Sequence, residues 1–400
     1  MDTKTHTKIE EEKNSQIADV KFKRCKSEML KTTNIESLPN ETIFGILVRV
    51  PAQDICNAAI LVCRKWYQTI CTHEFVDAHH KQSTPGLFIQ HIASKADGPI
   101  FVSIQLGQIK ISNINYKFVH NIESTCNGLI LEHRDDGCNN DLCITNPATK
   151  QHFSLPLSFR SKPTYSFTLA YAVASKEYKL VCPFSRKSKL RDDIAIFTVG
   201  VDNDWKRRVN IEHLSQVPRF GIRLLQGKPL CTEGFVHWAT RRRLRVMGES
   251  EYVLTLNIET EIVTQFPVPS FSHYVERPWY YYLSTGNHLT LLISRTNFSW
   301  EVWEMKSETG EWRNAMIIDL KSEILKFESK CNLVPVGWLN FGEVLVFLVC
   351  TRKTDNSTPD TLCIAYNVRA REIIGSFFTS GSNSFDTHRD SLVWLNLGGR

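Results

Sequence analysis

"LCITNPATKQHFSLP", Leu142 to Pro156, is an apolar run, an asparagine, a short polar turn and a second run. The pattern returns as "VLTLNIETEIVTQFP" from Val253 to Pro267 and as "CIAYNVRAREIIGSF" from Cys363 to Phe377. The three asparagines, Asn146, Asn257 and Asn367, stand 111 and 110 residues apart. Asparagine tolerates left-handed backbone, so it is the residue expected to take that conformation in the turn. Weaker copies midway, "FTVGVDNDWKRR" around Asp202 and "EVWEMKSETGEW" around Lys306, halve the spacing. The resulting unit of about 50–60 residues is close to the blade length of a kelch-type array.

A second landmark precedes most of these turns. A glycine opens a strand in "NGLILE" (Gly128), "EGFVHWA" (Gly234), "GNHLTLL" (Gly286) and "GEVLVFL" (Gly342). The gap to the asparagine turn has room for one more strand and loop, so each unit supplies about four strands, one propeller blade. Short β-type runs continue from Leu87 onward, punctuated by Gly, Pro, Asn and Asp. Residues 85–400 therefore read as an all-β propeller of about six blades, and the alternative is a non-repetitive array of sandwiches. The tail "DSLVWLNL", Asp390 to Leu397, is the apolar run expected to close the ring.

The N-terminal part has another character. Residues 1–33 are rich in charge and poor in aromatics, the composition of a disordered tail. Within them "KFKRCK", Lys21 to Lys26, is a nuclear-import patch or simply a solvated run. Residues 34–80 read as a small helical domain. Pro39 suits a first helical turn, and Ile43, Ile46, Leu47 and Val50 follow at helical spacing. Pro51 stops that helix, and Ile55, Ala59, Val62, Trp66 and Ile70 continue the period. The turn "STPG", Ser83 to Gly86, marks the boundary. The fold class is thus a multidomain α+β chain, helices first and propeller after. So short a helical unit cannot bury all of its apolar residues, and surface left uncovered by the propeller is a site for another protein.

Composition excludes several classes. A 42% hydrophobic share suffices for a large core, while no uncharged run is long enough to span a bilayer. The first residues lack an apolar signal segment and the twelve cysteines follow no disulfide spacing, so free thiols and a cytoplasmic or nuclear location are expected. The net charge of +6 does not by itself imply nucleic acid, which is not expected as a partner.

A search for chemistry finds little. "GIRLLQGKP", Gly221 to Pro229, has five residues between its glycines and a proline where a phosphate loop needs Ser or Thr. No dinucleotide fingerprint and no nucleophile elbow occurs. Cys126, His133, Cys138, Cys143 and His152 lie close together in the chain without a C-x₂-C pair, and the strand cysteines read as core, so no metal or cofactor is expected. His79 and His80 are adjacent and read as surface residues. Asp135, Asp136, Asp192 and Asp193 sit in turn-like stretches. Arg241, Arg242, Arg243 and Arg245 form the strongest basic patch, a solvated loop or a holder of phosphate or an acidic peptide. The tryptophans near strand ends read as blade packing. No catalytic residue is assigned.

Residues Leu38 to Phe75 resemble an F-box, whose pattern is Leu-Pro, a helix with Ile-Leu, a Pro break, Val-Cys-x-x-Trp and a late Phe. Leu38, Pro39, Ile46, Leu47, Pro51, Val62, Cys63, Trp66 and Phe75 fall on it in order. "STCNGLILEH" and "NPATK", with "GFVHWA", "SWEVWEMK" and "GEVLVF" later, are similar to the F-box-associated propeller domains of plants. The resemblance implies an adaptor: the substrate-recognition subunit of an SCF-type ubiquitin ligase, docked on a Skp-type adaptor and through it on a cullin and a RING protein. It implies that Leu38, Pro39, Ile43, Leu47, Pro51, Val62 and Trp66 form the docking surface and that the propeller binds the protein substrate. The alternatives are a Skp-binding protein acting outside a ligase and, from another class, a propeller enzyme of the galactose-oxidase type.

Overall fold

The computed structural model describes residues 38–91, 98–118, 120–135, 140–155, 167–185, 192–209, 228–239, 251–271, 278–324, 331–351, 360–380 and 383–393. After a short helical unit, the described strands form six four-stranded antiparallel sheets arranged as the blades of a propeller.

Blade one holds β1 (Gly86–His91), β2 (Ile100–Gln105) and β3 (Gln108–Asn113). Blade two holds β4 (Asn121–Cys126), β5 (Leu129–Asp135), β6 (Asn140–Asn146) and β7 (Gln151–Leu155). Blade three holds β8 (Thr168–Ala172), β9 (Glu177–Ser185), β10 (Asp192–Thr198) and β11 (Lys206–Val209). Blade four holds β12 (Leu230–Thr232), β13 (Phe235–Ala239), β14 (Tyr252–Asn257) and β15 (Ile262–Pro267). Blade five holds β16 (Tyr280–Ser284), β17 (Leu289–Thr296), β18 (Ser299–Met305) and β19 (Trp312–Asp319). Blade six holds β20 (Cys331–Leu339), β21 (Val344–Thr351), β22 (Asp360–Asn367) and β23 (Glu372–Ser380).

The last strand, β24 (Asn383–His388), returns to blade one and pairs antiparallel with β1, Phe88 opposite Asp386. This closes the ring, because a chain end and a chain start share one sheet. The expected closing run, Asp390 to Leu397, is not the closing strand: its described part, Asp390–Val393, follows β24 without strand structure.

The inner strands β24, β4, β8, β12, β16 and β20 face the central channel. Their small polar side chains bridge neighbouring blades. Thr125 Oγ1 donates to Thr387 O at 2.6 Å, Leu169 N to Ser124 Oγ at 2.9 Å and Ser284 Oγ to Cys231 O at 2.6 Å. Between the blades, outer to this ring, the apolar faces pack on each other. Trp238, Trp300 and Trp338 are buried there, and Trp338 Nε1 donates to Thr290 Oγ1 at 2.9 Å. A buried indole N–H with such a partner adds packing area without an unmet donor.

The repeated asparagines do not take left-handed backbone. Each accepts hydrogen bonds from the amides two and three residues on: Ala148 and Thr149 for Asn146, Glu259 and Thr260 for Asn257, Arg369 and Ala370 for Asn367. The left-handed residue comes four positions after the asparagine, at Lys150 (φ 59°), Glu261 (φ 57°) and Arg371 (φ 58°). The asparagine is selected for its side-chain carbonyl, which satisfies turn amides that the strands cannot. The opening glycines do need their freedom: Gly128 has φ 81° in the turn from the inner to the second strand of blade two.

The helical unit contains α1 (Asn40–Leu47), α2 (Ala52–Asn57), a 3₁₀ turn (Ala59–Leu61), α3 (Arg64–Ile70) and α4 (His73–Gln82). Pro39 and Pro51 stand at the N-caps, one residue before the first turn. Thr72 caps α4, its Oγ1 accepting from Phe75 N at 3.1 Å. Ile43 and Leu47, Ala52 and Ile55, Ile70, and Phe75 and His79 point inward from their helices. Phe44 meets Phe75 edge-on with ring centres 5.2 Å apart.

This helical core is not closed by the helices alone. Ala148, from the turn between β6 and β7, and Leu392, from the C-terminal segment, are buried in the same cluster. The expectation of a helical unit left uncovered by the propeller is therefore corrected on one side. The helices pack there on the ring's own turn and tail.

Candidate functional site

The junction between helices and propeller is built by residues 389–393. Asn146 Nδ2 donates to Ser391 O at 3.2 Å and to Val393 O at 2.9 Å, so the repeat turn of blade two also pins the tail. The Asp390 carboxylate accepts from the backbone amides of Ala52 and Ser391. Ala52 opens α2, whose N-cap is a proline with no side chain to offer. Asp390 thus supplies the missing cap from a residue far along the chain, which suits a helix N-terminus with unpaired amides and a positive dipole end. Burial nevertheless pushes the Asp390 carboxyl up to about 6. Two more ties reach α4: Arg389 Nη1 lies 3.5 Å from His80 Nε2, and Lys176 of blade three pairs with Asp77 at 3.7 Å.

The opposite side of the helical unit stays open. Ile46 is 47%, Leu61 77%, Val62 52% and Tyr67 53% exposed. Pro39 is also exposed, and Pro51 is exposed where it lines a cavity between the helical unit and the propeller, beside Ala148 and Asp390. Of the residues expected to dock a partner, Pro39, Pro51 and Val62 are therefore on the surface, and Leu38 and Trp66 are partly buried against the helical core. Ile43 and Leu47 are each 1% exposed, so in this arrangement they are core and not surface. The helical period marks a stripe but not its outer edge: Ile46 lies one position from Leu47 and turns outward. Leu61 and Val62 sit where the 3₁₀ turn interrupts the period, which is why sequence reasoning missed Leu61. Tyr67 follows Trp66 and carried no signal of its own.

α4 has a second side, over the propeller. The expectation that His79 and His80 are surface residues fails, because α4 is packed on both faces. His79 is 2% exposed within the helical core, with Nε2 2.8 Å from Val50 O. His80 turns to the channel, where burial first and the Arg389 charge second lower its pKa to about 4. Here a cavity of about 380 Å³ lies at the mouth of the central channel. Its walls are α4, the ends of the inner strands and the turns that follow them, including Asn127, Glu233 and Gly286. Arg389 lines it as well; its guanidinium carbon stands 4.7 Å from the centre of the Phe341 ring.

The cysteines expected in the core lie there in part. Cys143 is buried and Cys126 is partly buried in the channel wall, where burial raises its pKa well above the usual thiol value. Strand pairing does assemble donors that are scattered in sequence: Glu132, Cys143 and His152 bring ligand atoms within 4.8 Å of one another. They share one face of blade two, since Cys143 pairs with Glu132 and His152 with Thr145. Glu132 already accepts from Thr145 Oγ1 at 2.5 Å and from His120 N at 3.0 Å, the arrangement of a satisfied buried carboxylate. Asp192 and Asp193 begin β10 and do not lie in a turn. Arg241, Arg242, Arg243, Arg245, Cys138 and Asp136 lie outside the described residues, as does the tail 1–33.

Comparison with known proteins follows this division. Residues 35–76 match the F-box-like family, and residues 79–374 match the F-box associated beta propeller domain. The chain belongs to the F-box associated β-propeller family. Its F-box occupies the helical unit and its propeller has six blades. The closing strand β24 lies beyond the matched residues of the propeller domain. A relative from Arabidopsis thaliana, At1g26510, which carries F-box protein in its name, is 32% identical over 109 residues; the match spans 26% of each chain, about a quarter of that relative's length. Among solved structures, one described as TolB from Agrobacterium tumefaciens aligns with a TM-score of 0.39 and 10% identity over 77% of this chain and 98% of that one. The β-propeller domain of the Trilobed protease from Pyrococcus furiosus gives 0.36 and 11% over 68% and 79%. No helix among the described residues is long and apolar enough to cross a membrane.

Proposed function

We propose that this F-box propeller chain is the substrate-recognition subunit of an SCF-type ubiquitin ligase. The observation that carries the reading is the open apolar side of the F-box, with Ile46, Leu61, Val62 and Tyr67 about half exposed or more while the opposite side is sealed on the propeller. Scattered apolar residues on a surface need no explanation, but several on one short unit mark a partner site. The partner is a Skp-type adaptor, which bridges to a cullin scaffold and a RING protein. The exposed Pro39 and Val62 belong to this surface, with Leu38 and Trp66 supporting it from beneath and Pro51 at its edge toward the junction. The propeller holds the protein to be modified. Its contribution is effective concentration, since binding both partners converts a bimolecular encounter into a local one.

The test is capture of a purified Skp-type adaptor by the full chain and by a Leu61→Ser, Val62→Ser double variant. Both side chains are exposed, so the fold is expected to hold. Burying one such side chain contributes roughly 1.5–3 kcal/mol, so capture is expected to fall by at least about tenfold. Unchanged capture by the double variant would refute the assignment. Co-purification of a cullin with the wild-type complex separates a ligase subunit from an adaptor acting elsewhere.

A further inference from the structure

The channel mouth carries a charge that the fold does not neutralise. Arg389 is half-buried, and its contacts are a phenyl face, Phe341, and one ring nitrogen of His80. Among the described residues no carboxylate forms an ion pair with it; Glu233 acts on it only at longer range. Burial lowers its pKa, yet a guanidinium does not give up its proton in a protein. Phe341 offsets part of the desolvation, and His80, itself held neutral by burial, offsets none of the charge. A half-buried cation whose nearest compensating carboxylate, Glu233, lines the same cavity without forming an ion pair gains from an anion brought into contact with it.

The surroundings are shaped to admit a guest. The rim is made of tight turns from successive blades, and at Gly234 and Gly286 an added Cβ would meet no atom within 4 Å. Those two positions therefore leave open space at the rim, beside the lining side chains of Asn127, Glu233 and Asn287. Lys81 and Lys176 add positive charge at the edge, Lys176 sharing it with Asp77. His388 Nδ1 is buried in the same wall with no hydrogen-bond partner.

We propose that this cavity receives an acidic side chain from an extended segment of the protein substrate, with Arg389 as the residue that pairs with it. The inference rests on the substrate-receptor reading and adds the chemistry of what is received. A carboxylate or a phosphate presents two oxygens to the planar guanidinium, a pairing that lysine cannot copy. The cavity has room for one such side chain and its neighbours, and α4 beside it places the bound segment next to the F-box.

The test uses immobilised degenerate peptide pools with a fixed central residue: glutamate, phosphoserine or glutamine. The full chain in complex with a Skp-type adaptor is compared with Arg389→Met, which keeps an apolar stem on Phe341, and Arg389→Lys. Retention on an acidic pool is expected to exceed that on the glutamine pool by about tenfold or more, the scale of a charge-assisted hydrogen bond. The preference is expected to vanish in Arg389→Met and to weaken in Arg389→Lys, with adaptor capture unchanged. The acidic pool that leads identifies carboxylate or phosphate. Equal retention on all pools, no retention on an acidic pool, or an acidic preference that survives Arg389→Met overturns the inference. Should Arg389→Met not fold, free phosphoserine and free glutamate as competitors of wild-type retention decide the matter, and failure of both to compete overturns it. Loss of adaptor capture by the wild type would instead strike the ligase reading.

Discussion

Replacing Asp390 by Asn isolates the charge that the C-terminal segment carries into the F-box. The carboxyl is raised from 3.8 to about 6, chiefly by burial, with Asp54 adding repulsion and the amides of Ala52 and Ser391 opposing. The folded state therefore holds the proton more tightly than the unfolded chain. Its contribution to stability is fully present below about pH 4 and is lost as the pH rises through about 6. A shift of this size corresponds to about 3 kcal/mol, and about 2 kcal/mol once the part of the side chain that water reaches is allowed for. Asn keeps an oxygen for the Ala52 amide and cannot ionise. His80 and His388, both lowered to about 4 by burial, act in the opposite sense, since neutral buried histidines favour the fold as the pH rises from about 4 to 6.5. The difference between wild type and Asp390→Asn cancels them. Urea denaturation at constant ionic strength at pH 4.5 and pH 7.5 is the assay. Asp390→Asn is expected to gain about 1 kcal/mol on wild type between those two values, because at pH 4.5 the unfolded carboxyl is already largely ionised and part of the loss lies below the window. Parallel pH profiles would show that the carboxyl is not buried against α2 and would refute the account of the junction.

Leu392→Ala removes a fully buried side chain from the F-box core and is expected to cost about 2–5 kcal/mol, read as a lower midpoint in the same denaturation. Gly128→Ala places a Cβ 2.4 Å from Ser391 Cβ at a residue with φ 81°, so the tail must move and a loss of at least about 1 kcal/mol is expected. Because both act on residues 389–393, the Gly128→Ala, Leu392→Ala double variant is expected to lose less than the sum; strict additivity in this cycle would mean that the two sites are independent.

The ring was legible because its turns are chemically repetitive. An asparagine that answers two amides recurs at blade spacing, and glycine recurs where the backbone turns left-handed. The closing strand was not legible, and β24 explains why. "NSFDTH" faces the channel on one side and β1 on the other, and most of it is only partly buried. An inner strand lined by Ser, Thr and Asp carries no hydrophobic period, so the more apolar run after it attracts the assignment. That run serves the F-box: Leu392 completes a helical core which lies more than 300 positions earlier in the chain. The inward positions Ile43 and Leu47 could not be separated from a docking surface by sequence, because a short unit shows one stripe whether that stripe faces its own core or a partner. Arg389 had no signal at all. Its position depends on the channel geometry, which only ring closure creates.

Residues 383–393 join three tasks that a longer route would separate. β24 completes blade one, Arg389 faces the cavity, and Asp390 with Leu392 holds the F-box. The consequence concerns geometry. If the F-box were tethered only by the chain between α4 and β1, it would swing, and on the proposed substrate-receptor reading the local concentration of a bound protein would be spread over that motion. Here the F-box is fixed at both ends, by α4 running directly into β1 and by the tail returning under α2. Detaching the tail strains β24, because the two are adjacent in the chain, and loosening β24 opens the ring where it pairs with β1. Docking of the F-box and closure of the propeller are therefore expected to be lost together as one cooperative step, since neither contact survives the movement that breaks the other.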